Sequence, residues 1–114
     1  MPVGQYSEEI LTYMGIWDEL NSAQKITFGD NVKTVTKTVA EMGADCGIVY
    51  GTDAAAAGLE VVAYPPEGSH SPIIYPASIL ANTEYPEQAS RFMTFLQSED
   101  AKAVFEAAGF AIAQ

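Results

Sequence analysis

The sequence has 114 residues, of which 48% are hydrophobic and 18% charged, and its formal net charge is −10. This balance is typical of a single folded domain and excludes an intrinsically disordered chain. The 5 Lys and Arg residues form no cluster, so neither nucleic acid nor an anionic membrane is expected as a partner.

Cys46 is the only cysteine, which excludes a disulfide within the chain. It lies in an apolar run, and we therefore expect its thiol to be buried and inert. Residues 1–7 lack the basic and apolar regions of a signal peptide, so no export signal is expected in this chain.

Helical patterns come first in the chain. Residues 7–14 carry apolar side chains at helical spacing, and Gly15 is typical of the residue that follows a helix. Residues 32–42 repeat this spacing, with apolar side chains through Met42 on one face. Asn31 precedes them and is a favoured N-cap residue.

Short apolar runs alternate with further helical segments in the rest of the chain. Strands are predicted at residues 25–28, 46–50, 59–64 and 73–80. Helices are predicted at residues 52–58, 86–97 and 98–108. Strands that alternate with helices indicate an α/β fold.

Tyr50 is a candidate hydrogen-bond donor because it ends the apolar run at residues 46–50. In open α/β sheets, ligands bind outside the carboxyl ends of the strands. The alternative is a half-buried core aromatic residue whose hydroxyl is satisfied locally.

Two backbone amides are also candidate donors. If Asn31 caps the amide at the second or third position of its helix, the first amide, that of Val32, is left unpaired. Val3 stands at the start of the first helix, directly after Pro2, which has no N–H. Unpaired amides at helix amino termini suit an anion, although water fills most of them.

Catalytic and metal-binding groups are scarce in the sequence. His70 is the only histidine, and it lies in a Ser- and Pro-rich loop. A metal site usually needs a cluster of His, Cys or carboxylate ligands, so no metal is expected. A nucleophilic pair of Cys46 and His70 would need an exposed thiol. We therefore expect neither an enzyme nor a bound cofactor.

Several short blocks of the sequence resemble, in order, the periplasmic molybdate-binding proteins of ABC importers. The blocks are Met1-Pro2-Val3-Gly4-Gln5-Tyr6, Met14-Gly15-Ile16-Trp17-Asp18, Asp30-Asn31-Val32, Asp45-Cys46-Gly47-Ile48-Val49-Tyr50-Gly51-Thr52-Asp53-Ala54, Pro66-Glu67-Gly68-Ser69-His70, Pro72-Ile73-Ile74-Tyr75-Pro76 and Gly109-Phe110. Their collinear order over nearly the whole chain makes chance agreement improbable.

This resemblance covers only the later half of that family and implies a particular place in its fold. The chain resembles part of the second lobe of a type II periplasmic binding protein, a three-layer αβα lobe. It is expected to form a single partial domain over residues 1–114, which includes the segment that crosses back toward the missing first lobe. The intact protein is expected to be periplasmic and to deliver its solute to a membrane permease.

The resemblance also implies a site, because the contacts of the family's second lobe fall on Val3, Val32 and Tyr50. The implied ligand is a small oxyanion, molybdate or tungstate. Val3 replaces the alanine usual in the family, and its larger side chain could crowd the amide.

Two further expectations follow from the sequence. The alternative function is a ligand-sensing domain of a transcription regulator, because similar lobes occur in such proteins. A half-lobe without part of its sheet leaves strand edges uncovered, so the chain is expected to associate with itself.

Overall fold

The computed structural model describes residues 2–113, and helices are the regular elements of this part of the chain. They are α1 (Pro2–Tyr13), α2 (Trp17–Ser22), α3 (Val32–Ala40), α4 (Gly51–Ala56), α5 (Pro86–Leu96) and α6 (Glu99–Ala107). The predicted helices are therefore confirmed in kind, with ends that differ by a few residues.

Local capping explains where several helices begin. Pro86 occupies the first turn of α5, where its missing N–H costs no helical hydrogen bond. The side chain of Ser98 caps α6 by accepting a hydrogen bond of 3.3 Å from the amide of Ala101. Pro2 likewise opens α1, so this helix begins five residues before the predicted start at Ser7.

The ends of the helices follow the backbone conformation of single residues. Gly15 has φ of 75°, and the amide of Ile16 donates to the carbonyl of Leu11 at 3.0 Å, which closes α1 as predicted. Met42 has φ of 58° and is 92% exposed, so the prediction that it extends the apolar face of α3 is wrong. Helix α3 ends at Ala40 because the chain enters this left-handed turn before Gly43 is reached.

No strand forms within residues 2–113, so the predicted strands at residues 25–28, 46–50, 59–64 and 73–80 are wrong for the described chain. A strand requires a neighbour that pairs with its N–H and C=O groups. Apolar runs of this kind favour a sheet, but the described residues supply no pairing partner for them. The α/β lobe itself stays a prediction.

The chain divides into two compact units, one ending at Pro72 (unit 1) and one beginning at Ile73 (unit 2). Within unit 1, α1 contacts α2 and α3 contacts α4, and within unit 2, α5 contacts α6. The prediction of a single partial domain over residues 1–114 is not tested by this division. Among the described helices, none has the length and apolar character that crossing a membrane requires.

Few apolar side chains are buried in the described chain. Val3, Ala54 and Ala101 are the buried hydrophobic residues, and all three are small or medium in size. Phe92 on α5 is 60% exposed and stacks on Phe95. The core is therefore small for a chain of this length.

The cap of α3 gives a direct test of the fold. Replacing Asn31 with Ala removes the acceptor for the amide of Thr34, and we expect it to lower the free energy of unfolding by about 1 kcal/mol. The same change at Asn82, an exposed loop residue, is the control and should leave stability nearly unchanged. Urea unfolding followed by circular dichroism measures both. Equal midpoints for the two variants would contradict the assigned cap.

Candidate functional site

Val3, the first predicted donor, lies in the opening turn of α1. Val3 is 7% exposed, and its carbonyl accepts a hydrogen bond of 2.6 Å from the hydroxyl of Ser7. An amide this close to the start of a helix has no carbonyl four residues earlier in the helix to bond to. The structure therefore places the Val3 amide where a helix can offer a donor to a ligand.

Val32 is the first residue of α3, as the capping argument predicts. The side chain of Asn31 accepts a hydrogen bond from the Thr34 amide at 2.9 Å and one from the Thr34 hydroxyl at 3.2 Å. Asn31 thus satisfies the third amide of the helix and leaves the first amide, that of Val32, uncapped. The predicted role of Asn31 is confirmed.

Tyr50 occupies the N-cap position of α4 in an extended conformation, with φ of −70° and ψ of 144°. It is half-buried, and its side chain does not cap the helix. The predicted helix at residues 52–58 therefore begins one residue early, directly after Tyr50.

The segment that leads to Tyr50 lies against α3 at Gly47. A Cβ atom added at Gly47 would stand 2.8 Å from Cγ1 of Val35 and 3.0 Å from Cγ2 of Val39. Because α3 also contacts α4, the structure brings together the two helices that begin at Val32 and after Tyr50. Val3 lies on the other helix pair of unit 1, and the convergence of all three donors on one point stays a prediction.

A second surface of unit 1, which the sequence did not single out, lies between α1 and residues 68–71. The carboxylate of Glu9 accepts hydrogen bonds from the amide of Ser71 at 2.6 Å and from its hydroxyl at 3.3 Å. The rings of Tyr6 and His70 meet edge to face, 5.9 Å apart. In the sequence, the Ser- and Pro-rich composition of this loop predicts a turn but does not predict its contact with α1.

These contacts border an open cavity of about 770 Å³. Its lining residues are Gln5, Glu8, Glu9, Thr12, Tyr13, Gly68, Ser69, His70 and Ser71. The hydroxyl of Ser69 is buried and bonds to none of residues 2–113. The charged groups in this lining are carboxylates, so the cavity is unsuited to an oxyanion and contains none of the three predicted donors.

The structure also bears on the alternative chemistry. Cys46 is exposed, so the prediction that an apolar strand hides its thiol is wrong. Without a paired neighbour strand, the run that contains Cys46 is not covered on both faces. Across residues 2–113, no group of three or more His, Cys, Asp or Glu side chains is arranged to hold a metal ion.

The known proteins that are similar to this chain are named as solute-binding or substrate-binding proteins. Residues 1–111 match a family described as bacterial extracellular solute-binding protein. The chain is 37% identical over 111 residues to YvgL of Bacillus subtilis, a lipoprotein provisionally named as an ABC transporter substrate-binding protein. It is 35% identical over 111 residues to the molybdate-binding protein ModA of Haemophilus influenzae, and 34% over 113 residues to ModA of Escherichia coli.

These matches cover 96%, 96% and 98% of the chain but only 42%, 42% and 43% of the three relatives. The chain therefore spans less than half the length of these proteins. No solved structure matches the chain significantly.

The close contact at Gly47 can be tested by substitution. Gly47→Ala places a methyl group against Val35 and Val39, and we expect a loss of about 1–2 kcal/mol in the free energy of unfolding. Gly4→Ala is the matched control, because nothing lies within 4 Å of its added Cβ atom. Alanine there should stabilise α1 by about 0.5–1 kcal/mol. Urea unfolding measures the stability of both variants. If Gly47→Ala were as stable as the unmodified chain, the close contact at Gly47 would be contradicted.

Proposed function

Because the chain belongs to the bacterial extracellular solute-binding proteins, we propose that it contributes to a component of an ABC importer that binds molybdate or tungstate. The observation that carries the proposal is the position of the three predicted donors. Val3, Val32 and Tyr50 are far apart in sequence, yet each lies at the amino-terminal end of a helix. Two relatives that are named as molybdate-binding proteins support the same ligand.

The proposed donors suit the chemistry of the ligand. Molybdate and tungstate are tetrahedral dianions that carry no proton at neutral pH, so a site for them needs donors and excludes acceptors. The amides of Val3 and Val32 and the phenol of Tyr50 are donors without formal charge. The dipoles of α1 and α3, whose first turns contain Val3 and Val32, add to the attraction for a negative ion.

The proposal assigns this chain to one side of a binding cleft. It forms part of the second lobe of a three-layer α/β protein, and the first lobe supplies the remaining ligand contacts. The lobes close on the ion by a hinge motion, after which a membrane permease receives it. The protein acts outside the cytoplasm, binds its solute without changing it chemically and needs no cofactor.

Self-association of the isolated 114-residue chain is also proposed. Its support is the small number of buried apolar side chains, since surface that remains uncovered in one copy can be covered by another.

The isolated chain should bind molybdate poorly. Each charge-assisted hydrogen bond contributes about 1.5–3 kcal/mol, and three of them scarcely offset the cost of immobilising the ion. Isothermal titration calorimetry of the 114-residue chain should therefore detect no tight binding. A dissociation constant below the micromolar range would contradict the division of the site between two lobes.

In a protein that carries both lobes, removal of a single donor should weaken binding. Val32→Pro deletes the amide at the first helical position, where proline fits a helix, and Tyr50→Phe deletes the phenol. Each should raise the dissociation constant about tenfold or more.

Glu99→Pro is the control, because it places proline at the same position of α6, in unit 2. Titrating molybdate into each of the three variants separates the loss of the Val32 amide from the general effect of placing proline at the start of a helix. If Val32→Pro bound molybdate as tightly as Glu99→Pro, the result would contradict the assignment of the Val32 amide as a ligand donor.

A further inference from the structure

The helix starts of the described chain differ in charge. Helices α2, α4, α5 and α6 each carry at least one carboxylate in the first turn, whereas α1 and α3 carry none. A carboxylate there stabilises a helix through its dipole, and the chain has 15 acidic residues against 5 basic ones. The two helices whose first turns contain Val3 and Val32 therefore lack a stabilising charge that the other four helices have.

The cap of α3 completes this uncharged start. Oδ1 of Asn31 accepts hydrogen bonds from the amide of Thr34 at 2.9 Å and from its hydroxyl at 3.2 Å. An Asp side chain caps a helix about as well as an Asn side chain does, and its charge adds a favourable interaction with the helix dipole. Helix stability alone would therefore favour Asp over Asn at residue 31.

A carboxylate at residue 31 would, however, act on an anion bound at the start of α3. Val32 directly follows the cap, and its amide is one of the donors proposed above. The hydrogen bonds from Thr34 would hold the carboxylate at the same helix end, well inside the distance of about 8 Å over which physiological salt screens charges. The carboxylate would therefore repel a bound dianion. Asp30 is exposed and lies outside the cap, so these bonds do not hold its carboxylate at the helix end.

We propose that Asn31 is a specificity-determining residue of the anion site. Its uncharged side chain caps α3 and keeps carboxylate charge away from an anion bound at the Val32 amide. This inference rests on the proposed function and gives the cap a role in ligand choice that is separate from its role in stability. An Asp cap meets the requirement of stability but not that of the ligand, whereas any neutral cap meets both.

Two substitutions in a protein that carries both lobes separate the charge of the cap from its hydrogen bond. Asn31→Asp and Asn31→Ser both keep an oxygen that can accept from the Thr34 amide, so urea unfolding should show both variants nearly as stable as the unmodified protein. In calorimetric titration with molybdate, Asn31→Asp should raise the dissociation constant about tenfold or more. Asn31→Ser should change it less than about threefold.

Ser98→Asp is the matched control for the added charge. Ser98 caps α6, in unit 2, through a hydrogen bond of 3.3 Å from the amide of Ala101. The substitution therefore adds one carboxylate at a helix cap, as Asn31→Asp does, but on a helix that carries none of the proposed donors. It should change the dissociation constant for molybdate less than about threefold.

The possible results distinguish this inference from the proposed function. If Asn31→Asp bound molybdate as tightly as the unmodified protein while Val32→Pro bound it weakly, the role of Asn31 would be overturned and the proposed function would stand. Equal losses for Asn31→Asp and Asn31→Ser, or for Asn31→Asp and Ser98→Asp, would also overturn that role. If the unmodified protein with both lobes failed to bind molybdate, the proposed function would be overturned, and this inference with it.

Discussion

The close approach of backbone to helix at Gly47 is the constraint on which the middle of unit 1 depends. The methyl groups of Val35 and Val39 occupy the space that a side chain at this position would need. The segment from Gly47 to Tyr50 can therefore lie directly against α3, and Tyr50 stands at the start of α4. The absence of a Cβ atom at Gly47 therefore allows the segment before Tyr50 to approach α3 closely.

The net charge and the proposed donors of this chain act over different distances. A net charge of −10 repels a dianion at long range, but that repulsion is screened within about 8 Å in physiological salt. Helix amino termini act within hydrogen-bonding distance, where salt screens them little. A protein that selects an anion with neutral donors can therefore keep an acidic, soluble surface.

The sequence predicted the helices far better than the strands, for a physical reason. The cap at Asn31, the proline at Pro86 and the stop at Gly15 act within one turn of the chain, so local residues contain the required information. A strand depends on a partner that is distant in sequence, and apolar runs do not identify that partner. The exposed thiol of Cys46 has the same origin, because its predicted burial assumed a sheet. Capping predicted the position of the Val32 amide, whereas Tyr50 was predicted from the end of a strand that does not form. The convergence of the proposed donors is a long-range property that capping does not encode.

The contact between Glu9 and Ser71 joins residues that are 62 positions apart, near the two limits of unit 1. During synthesis, α1 leaves the ribosome long before its carboxylate meets this partner. The opening helix can form by local hydrogen bonds, but its attachment to the loop waits until almost the whole unit has emerged. Within unit 1, the contact of α1 with α2 can therefore form early, whereas its attachment to the loop forms late, and a translation product that stops before Ser71 would lack that attachment.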